Sequence, residues 1–399
     1  MKTSIIGGGA AGFFLAINLK EMMPEMEVTI FERSRHVLSK VEISGGGRCN
    51  CTNSFEGVSD LSQVYPRGHR LLRRLFNVFD HRSAYEWFVR HGVRLTTQDD
   101  HCVFPQSQDS HTIINCFLNE AREKGIRIET GRTIRSLEEL PDEGFVAVTT
   151  GGSPRPEGLE WLRTLGHRIE TPVPSLFTFN IDDKALQALM GTVANHASCL
   201  IPGTKLRSEG PLLVTHWGLS GPAILKLSSH AARLLNEQGY RSPLSVNWPG
   251  MAEQQVLQQV VRCAQQNGMK LVQNAHPFDL SQRLWSYLLE KSLAAKAQSR
   301  WDELGKKDIN RLINVLCNDA YQIIGRAAFK EEFVTCGGIS LKSINPNTME
   351  SRVRKGLYFA GEVLDIDGVT GGFNFQAAWT TAYVAALSIK NSLKVSGQE

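Results

Sequence analysis

Gly7, Gly9 and Gly12 stand at the G-x-G-x-x-G spacing that lets a backbone wrap a diphosphate, and Glu32 follows Gly12 by 20 residues. An acid there can accept hydrogen bonds from an adenosine ribose and disfavours a 2′-phosphate, so FAD or NAD suits the site and NADP does not. A second group of chemically capable residues is SGGGRCNCTN, 44–53, with three glycines, an arginine, two cysteines and two asparagines. It could be a metal or disulfide site, a phosphate cradle, or a plain glycine-rich loop. A third group lies in GLYFAGEVLDIDGVTGGFNFQAA, 356–378, where Glu362, Asp367 and a run of glycines precede an alanine-rich stretch.

Each group needs an element to hold it. Ser4–Ile6 is a short apolar strand, Ala10 to about Met22 has apolar residues at helical spacing with Pro24 beyond, and Val28–Phe31 is a second strand ending at Glu32. In that arrangement Gly7 makes the turn, Gly9 admits the pyrophosphate, and Gly12 lets the helix press on the strand. The helix N-terminus then offers unbonded N–H groups and partial positive charge to the phosphates. Strand, glycines, helix, strand and acid in register are a strong signal, where the glycines alone are weak.

At the far end, Leu357–Ala360 predicts a strand stopping at Gly361-Glu362, and Asn374 to about Asn391 predicts a helix with a small, alanine-lined side. This resembles flavoproteins in which a late strand supplies a carboxylate to the ribitol and the next helix aims its N-terminus at flavin O2 and N1. Glu362 would take the carboxylate place, with Gly372, Phe373 and Asn374 facing the ring. One half-site at each end of the chain favours FAD over NAD. Between them, 111–139 reads as helix, strand and a turn into another strand, and 145–153 as a strand ending in two glycines. Ile134 would lie near the adenine, and Thr150 and Gly151 near the dinucleotide.

With that context, 44–53 reads as part of the same cradle. Gly46 and its neighbours can turn N–H groups onto an anion, Gly47 with them, Arg48 can neutralise it, and Asn50 and Asn53 can reach carbonyl or ring atoms. Cys49-x-Cys51 lacks metal spacing, so no metal is expected; a thiol beside a flavin is the alternative role for Cys49. Further candidate cofactor contacts are Ala10, Ala11, Arg33 and Lys40. Ser44, Thr52, Asp367 and Ala377 complete the set.

SGGGRCNCTN, TTGGSP, THWGLSGPAILKLSS (215–229) and TMESRVRKGLYFAGEVLDIDGVTGGFNFQAAW (348–379) resemble the bacterial YhiN-type NAD(P)/FAD-dependent oxidoreductases. Aminoacetone oxidase-like and bile-acid flavin-reductase-like flavoproteins belong to that group. The resemblance implies an α/β protein with one non-covalent FAD in a glutathione-reductase-like Rossmann domain, an inserted β-barrel-like domain and a small helical insert. It departs after TTGGSP, where RPEGLEWLRTLGHRI replaces the usual Tyr-Pro, Thr-Gly and Gly-Asp-Gly segment. The expected boundaries are 1–170 with 346–399 for the FAD domain, 171–251 with 327–345 for the barrel, and 252–326 for the helical insert.

Composition bounds the rest. The 399 residues carry 44 Lys plus Arg against 40 Asp plus Glu, a net charge of +4 that does not by itself argue for nucleic acid. The eight cysteines form no C-x-x-C pair, which suits thiols in a reducing cytoplasm. No signal peptide is read at Met1–Ile6, and the apolar run 375–389 is shorter than the roughly 20 residues of a membrane span. No second complete G-x-G-x-x-G appears, so NAD(P)H, if used, docks transiently at the flavin. The residues point to an FAD-dependent oxidoreductase of a small or hydrophobic organic substrate, with NAD(P)H or O2 as electron partner. The alternatives are an RNA-associated flavoprotein, supported by the arginines in 65–92, and a flavoprotein without turnover. That basic stretch also reads as a solvated helix face. His216, in THWG beside Trp217, is the candidate proton donor, with packing or hydrogen bonding as its other reading.

Overall fold

The computed structural model describes residues 1–140, 144–153, 156–327 and 334–396. The chain forms two compact units, Met1–Pro174 with Glu332–Glu399, and Ser175–Glu331.

The first unit is organised by a five-stranded parallel sheet, in the order Leu357–Phe359, Phe145–Val148, Lys2–Ile6, Glu27–Phe31, Arg127–Glu129. Thr3–Ile6 is buried throughout, as a central strand covered on both faces must be. The helix Ala10–Met22 carries the crossover to the second strand, and every residue from Ala11 to Leu19 is buried. A helix apolar all round needs cover on two sides. One side packs near the sheet, and the other lies against the C-terminal helix Phe373–Ser396, where the Phe14 and Trp379 rings sit 5.1 Å apart.

Strand register places the site. Ile6 is level with Phe31 and with Val148, and Val148 with Phe359. Gly7, Glu32, Thr149 and Ala360 therefore emerge together at the carboxyl edge of the sheet, where parallel α/β sheets bind ligands. A small antiparallel sheet of Thr52–Asn53, Cys102–Pro105 and Leu95–Thr97 holds the cysteine loop beside it.

Three sequence expectations change in this unit. Residues 130–139 form no strand but a short 3-10 turn at Leu137–Glu139. The basic stretch 65–92 is two helices, His69–Leu75 and His81–Arg90, the second capped by Asp80 accepting from the Ser83 N–H at 2.9 Å. Val334–Ile339, grouped with the barrel from sequence, pairs instead with Ile169–Ser175 in the first unit.

The second unit is a closed antiparallel barrel, in the order Val193–Leu200, Arg207–Thr215, Gly218–Ser220, Phe179–Ile181, Asp319–Arg326, Ser242–Asn247. Asp319–Arg326, read from sequence as the end of a helical run, alternates buried and exposed residues as a half-covered strand does. Helices Glu253–Gln266, Gln282–Leu293 and Lys306–Asn318 share one apolar core with the barrel, so the helical segment packs as part of this unit. Buried Asp319 ties the two together by accepting from Trp248 Nε1 at 2.9 Å and pairing with Lys291 at 2.6 Å.

Candidate active site

Each glycine of the first turn has its own reason. Gly7 has φ +115°, and a Cβ there would lie 2.4 Å from the Thr149 carbonyl oxygen. A Cβ on Gly12 would lie 2.0 Å from the Gly7 oxygen, so the helix could not seat. Gly9 differs: its φ of −94° suits any residue, and a Cβ would meet no protein atom within 4 Å. Neither the backbone nor packing requires glycine at 9. The space over the helix N-terminus is therefore open to a ligand, and Ala10 and Ala11 follow in the first helical turn.

Glu32 is fixed by two backbone donors, the N–H of Gly8 to Oε2 and of Ser34 to Oε1, each at 2.8 Å. Its carboxylate keeps lone pairs for ribose hydroxyls. Arg33 is exposed next to it. The segment after the third strand closes on the same place, with Arg132 N–H donating to the Glu32 carbonyl at 2.9 Å. Ile134 on that segment is 6% exposed and joins the core of the unit. Thr149 bonds the Ile6 and Gly7 carbonyls, while Thr150 is exposed and Gly151 follows at φ +74°.

Just past the last strand, Leu357–Phe359, a Cβ on Gly361 would crowd Ala11 at 2.8 Å. Glu362 accepts from the Thr335 N–H at 2.8 Å and from Lys40 Nζ at 2.7 Å, so Lys40 and Glu362 form an ion pair across the site. Gly152 approaches so closely that a Cβ there would stand 2.6 Å from Glu362 Oε1. Thr335 carries no sequence signal; its part is a backbone donor that only the fold reveals.

The cysteine loop and the C-terminal motif are locked together. Ser44–Gly46 interrupts the helix Ser39–Gly47, with Gly45, Gly46 and Gly47 all at positive φ, and Ser44 Oγ bonds the Val41 carbonyl. Gly372 has φ +86°, and a Cβ would sit 2.3 Å from the Thr52 oxygen. Thr52 bonds Gln376 at 2.6 Å, Trp379 Nε1 donates to the Cys51 carbonyl at 2.7 Å, and Asn53 donates to the Gly371 carbonyl at 3.0 Å. In the amide orientation that satisfies both its oxygen and its nitrogen, Asn50 donates to the Thr52 carbonyl at 2.8 Å and accepts from the Gly372 N–H at 3.2 Å. Asn374 closes the 368–374 loop by bonding Gly368 N–H and carbonyl, and Tyr65 donates to the Phe373 carbonyl. The C-terminal helix therefore starts at a rigid mouth, with Ala377 buried one turn in.

Several residues read as ligand contacts have other partners. Arg48 donates to Gly45 and Gln108 and lies 4.3 Å over the Phe104 ring, so its cation is held by its own loop. Asp367 is fully buried and paired with Arg67, which sequence reading had left in a solvated basic face. Burial pulls the Arg67 guanidinium down, but Asp367 holds it above its ordinary range. Burial pushes the Cys49 thiol up to about 12 and Cys51 well above the usual thiol value, which disfavours a reactive thiolate. All eight cysteines are buried and none is in a disulfide.

In the second unit, His216 is exposed in the turn between Arg207–Thr215 and Gly218–Ser220, its ring centroid 3.8 Å from that of Trp217. In the first unit, Glu21, His91 and Glu120 bring metal-type ligand atoms together. Lys124 Nζ already stands 3.4 Å from Glu21 and 2.7 Å from Glu120, as the cation of that cluster. No helix among the described residues is long and apolar enough to cross a membrane.

The HI0933-like protein Rossmann domain model matches residues 1–388. The chain is 25% identical to a 3-dehydro-bile acid delta(4,6)-reductase of Clostridium scindens, over 96% of this chain and 98% of that protein. It is 26% identical to a ribosomal RNA dihydrouridine synthase of Haemophilus influenzae, over 96% and 97%. A 3-ketosteroid delta1-dehydrogenase from Sterolibacterium denitrificans matches 98% of this chain and 99% of its own, at 11% identity and a TM-score of 0.49. With the glycine turn, Glu32 and Glu362 gathered at one sheet edge, the family match identifies the chain: it belongs to the HI0933-like Rossmann family and is an FAD-dependent oxidoreductase.

Proposed function

We propose that the chain reduces a carbon–carbon double bond conjugated to a carbonyl, in a small or hydrophobic organic substrate, with NAD(P)H as the electron source. The observation that carries the placement is the open space at Gly9, in a turn that leaves the sheet at the same edge as Glu32 and the Ala360–Glu362 segment. Bound FAD supplies the hydride chemistry. Glu32 takes the adenosine ribose, the turn Gly7–Gly12 the diphosphate, and Glu362 a ribitol hydroxyl, with Lys40 sharing its carboxylate. The N-terminus of Phe373–Ser396 stabilises negative charge developing on the ring. The reaction class is supported by the names of both relatives: each describes saturation of a double bond, Δ4,6 in a 3-oxo steroid acid and the 5,6 bond of a uracil. A cytoplasmic setting suits eight cysteines without a disulfide.

The test is anaerobic. The enzyme is reduced by NAD(P)H and then mixed with a conjugated enone, a 3-oxo-4,6-diene steroid acid, or uridine in RNA. Reoxidation of the flavin by one of these, and not by its saturated counterpart, supports the reading. A flavin that NAD(P)H reduces but only O2 reoxidises refutes it.

A further inference from the structure

Phe55 lies at φ +57°, in the left-handed region that a bulky residue rarely enters, and Asn53 Oδ1 holds its N–H at 2.8 Å. Such strain persists where the surroundings over-determine it, and it gathers at binding sites. The Phe55 ring stands edge-on to Phe373, centroids 5.1 Å apart, and stacks on the His81 ring at 4.8 Å. Phe373 opens the C-terminal helix, beside the Gly371 and Gly372 contacts with Asn53 and Thr52. Farther along that helix, Thr380 Oγ1 donates to the Phe79 carbonyl at 2.9 Å, just before His81. The other end of His81–Arg90 lies away from the site, where His91 bonds Glu21 at the end of Ala10–Met22 remote from the carboxyl edge. His81 is therefore at the end of its helix nearer the mouth formed by 371–374.

The two ring nitrogens of His81 differ. Nδ1 is buried and has no hydrogen-bond partner among the described residues, whereas Nε2, also without a protein partner, is not buried. A second proton would have to share the ring with a buried nitrogen that has no acceptor. Burial accordingly pushes the imidazole below its ordinary value, with Asp80 opposing and Arg82 assisting. Assigned from these surroundings, the neutral ring carries its hydrogen on Nε2, an open donor that brings no charge of its own.

We infer that Phe55 and His81 form a wall of the substrate pocket, resting on the reaction proposed above: the Phe55 ring packs on the apolar body of the substrate, and His81 Nε2–H donates to the carbonyl oxygen conjugated to its double bond. Hydride addition to the β-carbon of such a substrate moves the double-bond electron pair toward that oxygen, and solvent then protonates the α-carbon. The hydride comes from flavin reduced by NAD(P)H, so the substrate gains two electrons and the nicotinamide loses two. An N–H already aimed at the oxygen bonds more strongly as charge grows there, which lowers the barrier more than it tightens ground-state binding. A neutral imidazole suits this task, because it holds the developing anion without giving up its proton.

The test titrates the FAD-loaded full chain with 4-nitrophenolate by calorimetry, since the oxygen of this aromatic anion mimics the enolate. Wild type should bind it saturably. His81→Phe keeps a ring against Phe55 but has no donor, and should bind roughly 10- to 150-fold more weakly, the loss of one charge-assisted hydrogen bond. His81→Gln keeps an N–H and should recover part of that affinity. On a small enone, kcat of His81→Phe should fall about 100- to 1,000-fold with KM little changed. Its visible flavin spectrum and its rate of flavin reduction by NAD(P)H should match wild type. Equal nitrophenolate affinity in wild type and His81→Phe, or no binding by wild type, overturns the assignment. Loss of flavin from His81→Phe and His81→Gln alike also overturns it, because His81 would then serve packing alone. Binding of nitrophenolate through His81 with no conjugated substrate reduced supports the wall and strikes the reaction.

Discussion

Gly9→Val separates cofactor binding from folding more sharply than any other change in this chain. The backbone at 9 has φ −94° and the added Cβ meets no protein atom within 4 Å, so the folded state should lose little. Fewer unfolded conformations contribute about 0.4–1 kcal/mol of stability, and the poorer N-cap costs a similar amount, so the net change is about zero. The branched side chain projects over the helix N-terminus, where the diphosphate must sit. Displacing it forfeits two charge-assisted hydrogen bonds, about 3–6 kcal/mol together, or roughly two to four decades in Kd. Gly12→Ala is the contrast: its Cβ would stand 2.0 Å from the Gly7 oxygen, so the fold itself should fail. The assay is urea unfolding of the apoprotein for stability and fluorescence-quench titration with FAD for affinity. If Gly9→Val binds FAD within about threefold of wild type, or unfolds as readily as Gly12→Ala, the reasoning from open space is wrong.

Other outcomes follow from the same geometry. Glu362→Ala should weaken FAD by roughly 10- to 150-fold, the loss of one charge-assisted hydrogen bond of about 1.5–3 kcal/mol, read by the same titration. Asp367→Ala strands the buried Arg67 charge and should cost about 3–5 kcal/mol in urea unfolding, whereas Arg73→Ala, which breaks only the exposed pair with Asp60, should change stability far less. At His91, burial lowers the imidazole, yet Glu21, the Trp87 carbonyl and Glu120 leave it raised on balance, with Lys124 the opposing charge in the cluster. That stabilisation is complete below the unfolded histidine value near 6.5 and disappears as pH rises through the folded value, so His91→Gln should lower Tm more at pH 6 than at pH 9. Cys49, pushed up to about 12 by burial, should resist a thiol reagent at pH 8 in the native protein and react on unfolding, as mass spectrometry of the labelled peptide would show.

The strand, glycine turn, helix and second strand that open the chain are readable because their residues are local. A glycine whose Cβ would strike the preceding turn and an acid at the next strand's end keep fixed spacing in the chain. The C-terminal helix was readable for the same reason, from small residues at helical intervals. What sequence missed depends on partners far apart. Nothing in the 65–92 stretch marks Arg67 as the arginine that goes inside, because its reason is Asp367, 300 residues away. Asp367 itself resembled a ligand carboxylate until that partner appeared. Thr335 acts through its backbone, which no side-chain pattern reports. Asp319–Arg326 was misread because NDAYQIIG continues a helical run smoothly, and the barrel neighbours Ser242–Asn247 and Phe179–Ile181 decide it.

The most direct check on the central claim is the visible spectrum of the purified full chain, followed by identification of any flavin released on denaturation. Oxidised-flavin absorbance and release of FAD rather than FMN are expected, because the proposed partners of Glu32 and the Gly7–Gly12 turn are an adenosine ribose and a diphosphate, which FMN lacks. A colourless protein that gains no flavin absorbance on incubation with FAD would contradict it.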